Sequence, residues 1–291
     1  MRFIYHYLLL GLGLFLFACS SNADKNNADQ DIDPETLLHT SFNGKLFSIP
    51  SPVLTTLLFK ELNAPYTPSL LLDKPQVDQV TDEYSRSLYL GLLAADLGYV
   101  SFYNDNNRIV KYLVGVEKLA SDLGLDKNFN KEFMQRYEAN ITKTDSLVQL
   151  SSDAFKYADS YLKNNDRFES SLLILIGGWV ETIYLASHLT STVEKPDLVA
   201  RIGEQKQTLE TILSVLIDQN IEEQKPELVK AFKALDATYQ NVAMHYKYSE
   251  PSIDLENNLT TLNHTISFEV PAKTLEDIKT KIAAIRNLII K

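Results

Sequence analysis

From Tyr84 onward, apolar residues recur every three or four positions along most of the chain, the spacing that gathers them on one side of an α-helix. Tyr84, Leu88, Leu92, Ala95, Tyr99 and Phe102 form one stripe, and Tyr89, Leu93, Val100 and Tyr103 form a second beside it. A helix apolar on more than one face is buried on more than one face, which places this one centrally. The next helix uses Ile109, Leu113, Val116, Ala120 and Leu123 and ends at Gly124-Leu125, a left-handed cap residue followed by an apolar contact. Phe129, Phe133, Tyr137, Ile141, Val148, Phe155, Ala158 and Leu162 hold helical spacing for about 35 residues. That exceeds the usual globular length, so a break is predicted in the weak formers Thr142–Asp145.

Leu172–Leu189 is the most apolar internal segment, but Glu181 and His188 within it would be costly in lipid, so it reads as a buried core helix. Helices follow at Leu198–Ile217 and from Pro226, a residue suited to a helix start, to Tyr246, with the stripe Leu228, Phe232, Leu235, Tyr239, Val242, Tyr246. Ile266, Phe268 and Val270 then alternate with Thr265, Ser267 and Glu269, the period of a half-buried strand. Leu275, Ile278, Ile282, Ile285 and Ile289 mark a closing helix. The fold class expected is mainly α: one helical domain over residues 41–291, with about seven or eight antiparallel helices and a short β element near the C-terminus.

The N-terminal third is organised differently. Arg2, the apolar run Leu8–Phe17 and Ala18 directly before Cys19 have the layout of a secretion signal, and ten apolar residues are too few to span a hydrocarbon core of ~30 Å. Leu16-Phe17-Ala18-Cys19 resembles the lipobox of bacterial lipoproteins, with Phe17 bulkier than is usual at its position. The resemblance implies that residues 1–18 are removed and that Cys19 carries lipid, whose acyl chains anchor the protein to a membrane. Ser20–Asp33 holds almost nothing apolar and reads as a flexible tether of ~20 Å end to end, with the flexible region drawn over 19–40. Ser51 is placed to cap, and Pro52 to begin, a short helix reaching Asn63, and Pro65, Pro68 and Pro75 mark a loop after it.

Cys19 is the single cysteine, so an acylated mature chain has no disulfide, thiolate nucleophile or cysteine metal ligand. Loss of Arg2 with the signal takes the formal net charge from −10 to −11. Without a basic cluster to displace phosphate counterions, the chain is not expected to bind nucleic acid.

Small residues mark two of the core helices. Gly91 and Ala95, like Ala94 and Gly98, stand four apart, and Gly177-Gly178 offers a complementary surface. Glycine inside a helix costs ~1 kcal/mol relative to alanine, so close packing between these helices is the plainer reading, with a ligand approaching the backbone as the other. That packing would bring Asp96 beside Glu181. A carboxylate in such a place has to be hydrogen-bonded, paired, metal-bound or protonated, with Arg86, Tyr99 or the His188 ring as nearby donors. Asp96, Tyr99, Trp179, Glu181, Tyr184 and His188 form the candidate binding cluster. Facing acidic, histidine and tyrosine side chains are also the materials of a bundle metal site, but no Glu-x-x-His pair is present, so no metal or cofactor is assigned.

Ile49-Pro50-Ser51-Pro52, Leu90-Gly91-Leu92-Leu93-Ala94-Ala95-Asp96-Leu97-Gly98-Tyr99, Gly177-Gly178-Trp179-Val180-Glu181 with Tyr184, and Ile285-Arg286-Asn287 resemble segments of helical lipoproteins of the Bacteroidota, a group without an assigned activity. The resemblance covers most of the mature chain and implies localisation and fold rather than function. By similarity to Gram-negative lipoproteins, Ser20 after the cysteine implies the outer membrane, facing either the periplasm or the surface. There is no Gly-x-Ser-x-Gly elbow and no glycine-rich phosphate loop, so no catalytic residue is assigned. The expected function is a lipid-anchored envelope module that binds a protein or small ligand without catalysis. An envelope enzyme, with or without a metal, using the buried carboxylates near Asp96 and Glu181 is the alternative.

Overall fold

The computed structural model describes residues 38–42, 45–49, 52–73, 75–126, 131–190, 196–255 and 259–291. The expected secretion signal, Cys19, the polar stretch to Asp33 and the expected Ser51 cap lie outside them, and all described residues belong to one compact unit. β1 (Leu38–Phe42) pairs antiparallel with β2 (Lys45–Ile49), so ordered structure begins inside the stretch expected to be tether as far as residue 40. α1 (Pro52–Glu61) is followed by two short 3-10 turns in the proline-marked loop.

α2 (Glu83–Phe102) begins where Asp82 accepts a hydrogen bond from the Ser85 amide at 2.9 Å, satisfying one of the unpaired donors of the first turn. It is buried on several sides, as its two stripes require. α3 (Asn106–Asp122) returns antiparallel to it and stops at Gly124, whose φ of +73° lets the Leu125 amide reach back to the Ala120 carbonyl at 2.8 Å. α4 (Lys131–Ala139) and α5 (Thr144–Asn164) are separated by residues 140–143, which overlap the predicted break at Thr142 and Lys143.

α6 (Phe168–Leu189) is long and apolar enough to cross a membrane, and 89% of its most apolar window is buried against the rest of the fold. Its partner is α2, and they form the most extensive helix pair in the protein. Glu83 meets Ser170, Leu88 and Gly91 meet Gly177 and Ile174, and Asp96 meets Glu181, so the two helices run in the same direction. Chain neighbours joined by short turns pack antiparallel, as α2 and α3 do. The central pair escapes that rule because three helices lie between its members and bring the chain back to its starting end.

α7 (Pro196–Asp218) and α10 (Ala272–Ile289) pack on α6, with the single turn α8 (Ile221–Gln224) and α9 (Pro226–Tyr239) packed beside them. α10 buries Ile278, Ile282, Ile285 and Ile289, each side chain contributing ~1.5–3 kcal/mol by its removal from water. The fold class is therefore as expected, with ten helices among the described residues.

The helix expected to continue to Tyr246 stops at Tyr239, a correction. Residues 243–247 instead form β3 (Ala243–Lys247), which pairs with β6 (Thr265–Glu269), while β4 (Ser252–Asp254) pairs with β5 (Leu259–Thr261). The reason is non-local: Tyr246 faces Ile266 across the strands, and cross-strand contacts outweigh the helical spacing of its stripe. The result is an antiparallel ribbon seated on α7 at Phe268 and Val270.

Candidate functional site

The α2–α6 seam depends on glycine. A Cβ at Gly91 would lie 1.8 Å from the Ile174 carbonyl oxygen, and one at Gly177 would lie 1.9 Å from that of Leu88. Two helix backbones thus touch at both positions, and Gly178 presents its amide to Gly91. One turn past this contact Asp96 and Glu181 face each other, both with no exposed surface. Gly98 takes no part in the contact, since a Cβ there would meet nothing within 4 Å.

Glu181 is held by a residue that the sequence reading did not nominate as its donor. Arg286 of α10, 5% exposed, donates from Nε to Glu181 Oε2 at 2.6 Å, the length of a charge-assisted bond. Its Nη2 reaches the Leu70 carbonyl at 3.4 Å, and its guanidinium lies 4.3 Å from the centre of the Tyr184 ring, a cation–π contact. Burial lowers the readiness of the guanidinium to carry charge, but the facing Glu181 more than restores it.

Neither oxygen of Asp96 nor Oε1 of Glu181 has a protein donor facing it, yet the two carboxyl groups are within hydrogen-bonding reach of each other. The Tyr112 hydroxyl adjoins Asp96, but its proton goes to the Leu72 carbonyl at 2.8 Å. Two carboxylates cannot bond to each other; a carboxyl and a carboxylate can. Burial, and then the charge on Glu181, push the Asp96 carboxyl far above the usual carboxylate range, so Asp96 holds the proton. One proton supplies Oε1 of Glu181 and leaves one cation and one anion, which avoids a cost of several kcal/mol for an unmatched buried charge.

The remaining cluster members separate into different surroundings. Tyr184 lies against Arg286, and the His188 ring is 4.2 Å from the Tyr184 ring, with Nδ1 2.8 Å from the Tyr184 carbonyl. Burial holds the His188 pKa below its ordinary value. Tyr99 points away, accepting from the Thr67 amide at 3.0 Å and packing on Phe59, Tyr66 and Tyr103. Trp179 faces α7, where Nε1 donates to Gln205 Oε1 at 3.0 Å and the ring stacks on Phe232. Arg86, the other expected donor, serves the Val80 carbonyl at 3.1 Å. The sequence does carry a trace of Arg286, which follows Ile282 by four and Ile278 by eight and so stands at the edge of the buried stripe of α10.

The assembled group is therefore Asp96, Glu181 and Arg286, buried in the helical core, with half-buried Tyr184 against the guanidinium. Among the described residues, no three or more His, Cys, Asp or Glu side chains are gathered closely enough to hold a metal ion. Comparison with family models, curated proteins and solved structures finds no match to the chain.

Proposed function

We propose that this protein is a lipid-anchored module of the cell envelope, held through acylated Cys19 and acting by binding rather than by catalysis. The observation that carries the binding reading is the placement of exposed apolar surface. Among the described residues, eight of the twelve large apolar side chains left exposed belong to the β ribbon: Met244, Tyr246, Tyr248, Ile253, Leu255, Leu259, Leu262 and Ile266. Such concentration marks a contact surface, since scattered exposure is the ordinary pattern. The alternative, an envelope enzyme, draws support from the raised Asp96 carboxyl, the kind of group that moves protons in active sites. Its burial, and the pairing of Glu181 with Arg286, favour the structural role.

A photo-cross-linker at Leu255 is expected to give a discrete higher-mass adduct in whole cells, and one at Val114 on α3 is not. No adduct from any ribbon position would overturn the binding reading. Separately, Cys19→Ser should move the protein from the membrane to the soluble fraction, and unchanged retention would exclude the lipid anchor.

A further inference from the structure

On the side of α2 away from Asp96, a cavity of about 40 Å³ opens between α2, α3, α4, α5 and α6. A single water needs ~10–15 Å³, so the space takes a few groups of that size and no bulky headgroup. Small side chains line part of it, Ala94 from α2 and Ala154 and Ala158 from α5. Gly98, one turn beyond Ala94, is itself buried beside open space, with no atom within 4 Å of the Cβ position. Half-buried Phe133 and Phe155 border the way out to solvent.

The polar atoms at the cavity decide what it can hold. Among the described residues no charged side chain lines it. The Ser101 hydroxyl donates to the Leu97 carbonyl at 2.6 Å, so in its 3.1 Å contact with Tyr137 it accepts, and the Tyr137 proton is spent there. Ser151 lines the cavity beside Tyr137. The Ser101 and Tyr137 protons are thus committed to protein partners, and the Ser151 hydroxyl in an otherwise apolar wall is too little to hold a water molecule.

We propose that this cavity binds the end of an uncharged hydrocarbon chain, such as the tail of a lipid, with any polar group left outside the rim of Phe133 and Phe155. Its occupant is either a chain from another molecule or an acyl chain on the protein's own Cys19. The site owes nothing to the Asp96–Glu181 pair and stands whether or not the ribbon binds a partner.

The full chain carrying Cys19→Ser, which has no acyl chain of its own, is titrated with 1-decanol and with 1,10-decanediol, with Tm and calorimetry as readouts. Decanol should raise Tm and bind saturably, whereas the diol, which must bury a hydroxyl, should bind at least tenfold more weakly. Ala154→Leu and Ala94→Val fill the cavity; at least one should fold, with a Tm no lower than the parent, and lose decanol binding at least tenfold. No saturable decanol binding, equal affinity for the diol, or unchanged binding in a folded, filled variant would overturn the proposal. If the acylated protein also takes up decanol, the occupant comes from outside. If only Cys19→Ser does, the protein's own acyl chain fills the site, and the proposal is upheld with that source.

Discussion

On one side of α2, Gly91 meets the backbone of α6 with no room for a single carbon, and a turn later Asp96, Glu181 and Arg286 fill the interior with neutralised charge. On another side, Ala94 lines a cavity with Ala154 and Ala158 of α5, and the same kind of small side chain leaves space with no charge in it. Small residues bring helices together only where the partner backbone passes close by, because the gain comes from atoms in contact. Where the partner keeps its distance, the missing carbons become volume. The sequence pattern is alike in the two places; the difference lies in the path of the second helix.

The largest effect tests the charged half of this contrast. Arg286→Met leaves Glu181 without its cation and should cost about 4 kcal/mol in denaturant unfolding, in the range for breaking a buried pair. Glu181→Gln should cost less, about 3 kcal/mol, because Asp96 can then ionise and take up part of the pairing. If either substitution costs under about 1 kcal/mol, the core does not depend on the pair. Gly91→Ala should destabilise by about 3 kcal/mol, at the upper end for overpacking, since the obstruction is backbone. A neutral result there would mean the seam can open.

Asp96→Asn gives a smaller effect and a sharper one. An amide replaces a protonated carboxyl and can still donate to Glu181, so the loss at pH 5 should be under about 1 kcal/mol. The sign with pH follows from the raised carboxyl. Below about pH 4 the folded and unfolded chains both hold the Asp96 proton. Above it only the folded chain does, and stability falls with rising pH by up to about 1.4 kcal/mol per unit until the folded group itself ionises. Asp96→Asn removes that slope, so the variant gains on the parent as pH rises from 5 to 8. Parallel stability profiles for the two would exclude a proton on Asp96. The smallest effect belongs to the open side: Gly98→Ala should stabilise by about 1 kcal/mol, the helix propensity difference, because nothing obstructs the methyl group.

Much of this fold is legible in the sequence because it is local. The two stripes of α2, the cap at Gly124, the break before Thr144 and the alternation of β6 each depend on residues within a few turns of one another. The juxtaposition of Asp96 with Glu181 was legible too, through the glycines. The sites that went unread depend on distant partners. Arg286 meets Glu181 across 105 positions, and its place on the α10 stripe reports its burial but not its partner. Tyr246 fits a helical stripe and a strand equally, and only its pairing with Ile266 decides. Trp179 could have been separated from Glu181 at the start, since two residues along a helix differ by about 200° and face opposite ways.

The parallel course of α2 and α6 also bears on the order in which the chain can fold. A seam that joins Leu88 to Gly177 cannot close until roughly 90 further residues exist, whereas an antiparallel pair would close through a short turn. Until α6 is in place, α2 has several apolar faces lacking their final partner. α3 can cover one of them as soon as it forms, which makes the α2–α3 hairpin the natural first shelter and leaves the α6-facing glycine side to be closed last.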